Sequence, residues 1–121
     1  MHIVRKDSKK NRLYIMIGGV VTEEEAHIVS EKIIKSFNEL EPGFDIVNDL
    51  TKYIHGDEIA GHLVKNVGKF LSDRKVNRIV RIVGQSKTAL MQFAKNTVQN
   101  ENVTIKYFPT LEEAENFLNK S

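Results

Sequence analysis

Short apolar runs alternate along the chain with longer segments in which apolar residues recur at helical spacing, and this alternation predicts an α/β fold. The run from Phe44 to Leu50 follows the helix-breaking pair Pro42-Gly43 and ends in polar residues. We interpret it as the central strand of a sheet. Its polar end is then the place to look for a binding site.

The other apolar runs predict strands at 2–5, 13–21, 77–84 and 102–108. Helices are predicted at 22–40, 57–73, 86–98 and 110–118. Thr22 and Thr110 open the first and last of these helices with capping boxes. The order β-β-α-β-α-β-α-β-α indicates a mixed, mostly parallel sheet of about five strands with four helices. The pair Gly18-Gly19 is expected to let the chain bend out of this sheet.

Length and composition indicate a single domain over residues 1–121, because 40% hydrophobic and 28% charged residues are ordinary for a globular protein. The chain has no cysteine, which excludes disulfides and thiolate chemistry and favours the cytoplasm. No apolar run approaches the roughly 18 residues of a membrane span, so no stable membrane insertion is expected. The net charge of +2 is too small to indicate a dedicated nucleic-acid binder.

Polar residues gather after the predicted central strand. In open α/β sheets, ligands and partners usually meet the loops beyond the carboxyl ends of the strands. The residues in this region, which form our candidate binding site, are Asn48, Asp49, Thr51, His55, Asp57, Glu58 and His62.

Part of this set could serve as a metal or acid-base site. Glu58 and His62 are four residues apart, so they would project from one side of the predicted helix, as zinc ligands or a proton-sharing pair do. No third ligand and no two-histidine zinc pattern accompany them, and Asp57 is explained as a helix cap. We therefore expect neither a metal nor a cofactor.

Ser86 and Lys87 form a candidate anion site, because they stand at a predicted strand-to-helix turn where exposed amides favour negative charge. The segment is not a phosphate-binding P-loop, since Arg81 occupies the position of the motif's first glycine. An ordinary capped helix is the alternative.

No catalytic signature is present, since the chain lacks both cysteine and a nucleophile elbow. Basic residues occur at Arg74-Lys75, Arg78 and Arg81, but no interleaved aromatic platform accompanies them. Solvated charge is the expected explanation, and no nucleic-acid partner is predicted.

The order of elements and the phrase Asp49-Leu50-Thr51 together resemble the STAS superfamily, and especially its SpoIIAA-like branch, which is related in fold to CRAL-TRIO lipid-transfer domains. In that family a strand ends in an Asp-hydrophobic-Ser/Thr phrase and leads through a loop to a helix, which here is the helix predicted from Asp57. The segments 78–84 and 108–118 resemble the closing strand-helix pattern of the branch. The resemblance covers Leu13 to Leu118.

One departure from the family concerns phosphorylation. Antagonists of the phosphorylated type carry an Asp-Ser-Ser-Gly-like phrase at the start of the helix after the central strand. The counterpart here is Asp57-Glu58-Ile59-Ala60, which has no serine. The resemblance therefore does not imply a kinase-controlled partner switch.

The resemblance implies a non-enzymatic regulatory or binding module that docks a protein partner or a small anionic ligand at the loop after the central strand. Because small STAS-like domains often pair, a homodimer is also expected. One alternative is a carrier of an apolar ligand such as a lipid, with a pocket lined by Tyr14, Met16, Phe70 and Phe93. Another is a small enzyme that uses Asp49, His55, Asp57 or His62 as acid and base.

Overall fold

A computed structural model of the chain describes residues 2–56, 76–84 and 104–120. Within these residues the strands are β1 (His2–Asp7), β2 (Arg12–Ile17), β3 (Gly19–Val21), β4 (Asp45–Asp49), β5 (Tyr53–Gly56), β6 (Arg78–Ile82) and β7 (Thr104–Phe108). The helices are α1 (Glu23–Phe37) and α2 (Leu111–Asn119). Neither of these helices is long and apolar enough to cross a membrane.

Five of the strands form a mixed sheet in the order β1-β2-β4-β6-β7. β1 and β2 pair antiparallel as a hairpin, and the other neighbours pair in parallel. The predicted α/β class and the mixed, mostly parallel sheet are confirmed, and β4 is its central strand. The helices predicted at 57–73 and 86–98 lie outside the described residues.

A second, two-stranded sheet was not predicted. The expected strand 13–21 is split at the glycine pair, where Gly19 has a φ of 74° that favours glycine. β3 then leaves the main sheet and pairs in parallel with β5, which lies in the segment expected to be a loop. The amide of Gly19 donates to the carbonyl of Lys52 at 2.7 Å, so the small sheet begins at this bond.

α1 begins at the predicted capping box. Thr22 Oγ1 accepts the amide of Glu25 at 3.2 Å and donates to the Glu25 carboxylate at 3.1 Å. The helix buries one stripe, formed by Ala26, Val29, Ile33 and Phe37. The Phe37 ring lies 5.2 Å from the ring of Phe44, which joins the end of the helix to the start of the central strand.

The core has a layer on each face of the five-stranded sheet. The layer on the α1 face includes Leu13, Ile15, Ile46, Ile79 and the buried stripe of α1. The layer on the α2 face is smaller and includes Val47, Val80, Ile82, Ala114 and Leu118. Since β4 contributes to both layers, it is covered on both faces, as a central parallel strand requires.

Charged side chains form a row on the α2 face near the amino ends of the parallel strands. Register places Arg12, Asp45 and Arg78 side by side on β2, β4 and β6. Arg78 binds Asp45 through two hydrogen bonds of 2.7 and 3.0 Å. Arg12 donates to Glu115 at 2.6 Å and to Asn119 at 2.8 Å, and these contacts fix α2 to the sheet. We call this the ionic row.

The expectation that Arg78 and Arg81 are solvated charges is wrong. Arg78 is half-buried against Asp45, and Arg81 is only 6% exposed. Arg78 packs against Asp45 and the ring of Phe117 on one face of the sheet, and Arg81 contacts Tyr107 on the other. Both guanidinium groups therefore make contacts within the fold.

Replacing Asp45 with Ala is expected to lower the free energy of unfolding by roughly 3 kcal/mol, because the Arg78 guanidinium loses a buried charged partner. The side chains of Arg78 and Asp45 are 15% and 9% exposed, whereas those of the pair Lys6–Glu39 are 39% and 40% exposed. Lys6→Ala is therefore the control, with an expected loss of at most about 1 kcal/mol. Urea unfolding, followed by circular dichroism, measures the loss of stability in both variants. Equal losses would contradict the assignment of Arg78–Asp45 as the buried, more strongly stabilising pair.

The pair His2–Glu25 joins β1 to α1 and is expected to make the free energy of unfolding depend on pH in the acid range. Nε2 of His2 lies 2.5 Å from Oε2 of Glu25, and this bond, supported by Thr22, holds the pKa of Glu25 below its ordinary value of 4.5. A lowered carboxyl pKa favours the folded state above the ordinary value, and this contribution is lost as pH falls through the lowered pKa.

Substituting His2→Ala should therefore raise the pKa of Glu25 towards its ordinary value. Carboxyl titration by NMR measures this shift directly. Glu24→Gln, on an exposed neighbouring residue, is the control and should leave the titration of Glu25 unchanged. A titration of Glu25 that is the same with and without His2 would refute the assignment.

Candidate functional site

The turn after β4 is built by the Asp49-Leu50-Thr51 phrase. Oδ1 of Asp49 accepts the amide of Thr51 at 3.0 Å and its hydroxyl at 2.7 Å. Leu50 between them is fully buried, and its amide donates to the carbonyl of Ile82 at 2.8 Å. The phrase thus bends the chain, anchors the bend in the core and orients the next residues outwards.

The turn after β6 packs against this bend. Gly84 has a φ of 57°, and a Cβ at this position would lie 3.5 Å from Cγ2 of Thr51. The strand ladder continues past β6, since the amide of Val83 donates to the carbonyl of Phe108 at 3.1 Å. The ends of β4, β6 and β7 are therefore joined into one edge, which we call the carboxyl edge.

Thr51 and Lys52 are the exposed side chains of the turn at this edge, whereas Asp49 is half-buried. The sequence interpretation included Thr51 but overlooked Lys52, because a single lysine in a polar segment carries no motif. Lys52 is recognisable only from its position at the end of the central strand. Its ammonium group gives the carboxyl edge a cation that suits a carboxylate or phosphate.

Asn48 lies beneath the carboxyl edge and is only 8% exposed. It faces α1, where register places it next to Arg81, and Arg81 next to Tyr107. Nη1 of Arg81 lies 2.9 Å from the hydroxyl of Tyr107. Burial lowers the pKa of Arg81, and the contact with Tyr107 opposes this shift. We call these three residues the polar row.

The polar row supports the carboxyl edge from inside the fold. Within residues 2–56, 76–84 and 104–120, Oδ1 of Asn48 has no hydrogen-bond partner. The sequence interpretation placed Asn48 on the binding surface and overlooked Arg81 and Tyr107, which come from two other strands. Only the strand register brings these residues together.

The remaining predicted site residues divide into two groups. His55 lies in β5, where its backbone pairs opposite Val20. The others fall outside the described residues, and they are Asp57, Glu58, His62, Ser86 and Lys87. In the part of the chain that the structure describes, no three His, Asp or Glu side chains are grouped so that they could hold a metal ion.

Tyr14 and Met16, proposed for an apolar pocket, lie on the α2 face of β2. The hydroxyl of Tyr14 donates to Glu115 at 2.6 Å, and Arg5 lies 4.3 Å from the centre of its ring. Burial and the bond to Glu115 raise the pKa of Tyr14. Phe70 and Phe93 fall outside the described residues, so the carrier stays a prediction.

Comparison with known structures identifies the fold. The chain is similar to the anti-sigma factor antagonist SpoIIAA in its unphosphorylated form, with a TM-score of 0.73 and 11% identity over 100% of both chains. It is also similar to an uncharacterised DUF3478-family protein from Shewanella loihica with a SpoIIAA-like fold, with a TM-score of 0.74 and 14% identity. That match covers 98% of this chain and 92% of the other.

This chain has a SpoIIAA-like fold. A third structure, of the protein TM1081, agrees at a TM-score of 0.67 and 17% identity, over 100% of this chain and 90% of the other. No family profile and no curated protein matches the sequence. The SpoIIAA-like fold that was inferred from the order of elements and the Asp49-Leu50-Thr51 phrase is confirmed.

Two substitutions at Thr51 are expected to separate the roles of its hydroxyl and its methyl group. Thr51→Val removes the hydrogen bond from the hydroxyl to Asp49, keeps the one from the amide, and should lower the free energy of unfolding by about 1 kcal/mol. Thr51→Ser keeps that bond and gives up only the methyl group near Gly84, so its loss should be smaller. Urea unfolding of both variants measures the difference. A larger loss for Ser than for Val would show that the methyl contact stabilises the turn.

Proposed function

We propose that this chain is a non-enzymatic, STAS-like regulatory or binding module that docks a protein partner or a small anionic ligand at the carboxyl edge. The observation that supports it most is the turn after the central strand. There Asp49 binds Thr51, Leu50 is anchored in the core, and Thr51 and Lys52 face outwards. Such a turn is ordered before binding, so little conformational entropy would be lost on docking.

The fold supports the same proposal by analogy. SpoIIAA, which shares the fold, is an anti-sigma factor antagonist. In this chain the carboxyl edge also bears a cation, Lys52. An acidic group on the partner or ligand would complement Lys52. The proposed site comprises Thr51, Lys52 and the residues predicted from sequence, with Asn48 as internal support.

The bonds of Asp49 favour a binding module over the acid-base enzyme. Both hydrogen bonds to its Oδ1 come from Thr51, two residues further along the chain. The carboxylate therefore has a local role in shaping the turn. We propose further that residues 1–121 form a single domain. It would act in the cytoplasm and without a cofactor.

Phosphorylation is not part of the proposal. The similar SpoIIAA structure is of the unphosphorylated form. The segment Asp57-Glu58-Ile59-Ala60 of this chain offers no serine at the corresponding place. Docking would then depend on the concentration of partner or ligand.

Photo-crosslinking from Lys52 tests the docking site. A photoreactive amino acid at position 52 should give a discrete adduct with a partner in an extract of the source cells. The matched control places the same amino acid at Lys9 and should give no discrete adduct. Lys9 is an exposed lysine in the turn between β1 and β2, at the opposite end of the parallel strands. Lys52→Glu should weaken the capture of an acidic partner by roughly tenfold, which corresponds to the loss of one charge-assisted contact of about 1.4 kcal/mol.

Native mass spectrometry of the purified chain completes the test. An anionic compound that is retained by the unaltered chain and lost in Lys52→Glu would support the ligand form of the proposal. A retained apolar compound that survives Lys52→Glu would instead identify a carrier. Equal crosslinking at positions 9 and 52, together with a bare chain mass, would refute the carboxyl edge as a docking site.

A further inference from the structure

The outer surface of α1 carries an isoleucine where solvated residues are expected. Ile28 is 48% exposed, and the buried stripe of the helix lies on the other side. Glu24 stands four residues before Ile28 and Lys32 four residues after it, and both are exposed. Residues at this spacing form one ridge along a helix, so the three side chains are neighbours in the order acid, aliphatic, base. We call them the α1 ridge.

A groove of about 110 Å³ runs beside the α1 ridge, between α1 and the edge strand β1. Its lining is mainly apolar, and it consists of His2, Val4, Glu25, Ile28, Val29 and Lys32. Because the lining is mainly apolar, the groove suits an aliphatic side chain from another molecule.

The charged side chains around the groove differ in whether they already have a partner within the chain. Glu25 is already bound by His2 and by Thr22. The side chains of Glu24 and Lys32, in contrast, make no hydrogen bond or ion pair with any other residue that the structure describes, although the backbone carbonyl of Lys32 accepts the hydroxyl of Ser36. The α1 ridge thus offers one free acid and one free base, placed symmetrically about an exposed aliphatic side chain.

This pattern is complementary to itself when it is reversed. If two copies of α1 lie antiparallel about a two-fold axis at Ile28, Glu24 of each copy faces Lys32 of the other, and the two Ile28 side chains meet. A two-fold interface uses the same patch on both subunits, so it requires this kind of self-complementarity.

We propose that a second copy of this chain docks on the α1 ridge, with the two Ile28 side chains packed together at the edge of the two grooves and two Glu24–Lys32 pairs flanking them. The contact is small and its ion pairs are exposed, so the dimer forms reversibly in the concentration range of weak associations. It shares no residue with the carboxyl edge and does not rest on the proposed docking function.

Charge exchange on α1 tests this dimer. In sedimentation equilibrium at low salt, the unaltered chain should associate as its concentration rises. Glu24→Lys and Lys32→Glu each turn two attractions into two repulsions, and each should weaken the association roughly tenfold. The double variant exchanges the two charges and recreates both pairs, so it should recover the association to within about threefold of the original.

Ile28→Asp is the central substitution and should abolish the association, because it places two carboxylates at the two-fold axis. Lys9→Glu changes the net charge as much as Lys32→Glu does, but it lies in the turn between β1 and β2, so the association should be unchanged. Circular dichroism establishes that each variant is folded, as expected because all the substituted positions are exposed.

Three results would overturn the dimer: a monomer at every concentration, a double variant that associates no better than either single variant, or an association that survives Ile28→Asp. Failure here is distinct from failure of the docking function. Lys32→Glu should leave crosslinking from position 52 intact, and Lys52→Glu should leave the association intact.

Discussion

The register of β4 between β2 and β6 is the constraint on which the rest of the structure depends. It places Arg12, Asp45 and Arg78 together at one end of the sheet, and Asn48 and Arg81 together towards the other end. A slip of one residue would turn each of these side chains to the opposite face. Both the ionic row and the polar row therefore oppose such a slip. They make the register of the sheet specific, in addition to any contribution to the free energy of unfolding.

The two ends of the sheet consequently have different properties. At the amino end, the ionic row binds α2 through Glu115 and Asn119, so its own charged groups are used within the fold. At the carboxyl end, the turn built by Asp49 and Thr51 is held from below by Leu50 and leaves outward-facing polar groups at the surface. One end secures the fold, and the other is ordered and accessible, which is the combination that a docking module needs.

Local patterns in the sequence predicted most of the described elements. The capping boxes at Thr22 and Thr110 mark both helices, since each hydroxyl accepts the amide three residues further on. The β3–β5 sheet was overlooked because strands of three and four residues carry no periodicity. Arg81 was assigned to solvent because charged residues usually are, and its contact with Tyr107 depends on register that no local pattern records. The same holds for Asn48, whose polar side chain gave no sign that it lies inside.

The α1 ridge and the carboxyl edge are separate surfaces, and their separation has a functional consequence. A dimer joined through the α1 ridge would carry two carboxyl edges in one assembly. For a partner with two copies of the docking segment, the second binding event becomes intramolecular, so the avidity exceeds the affinity of one edge without any new contact. Weak self-association would then make docking respond to the concentration of this chain as well as to that of the partner. Such a module could be regulated by its abundance, without a phosphorylatable serine at the helix after the central strand.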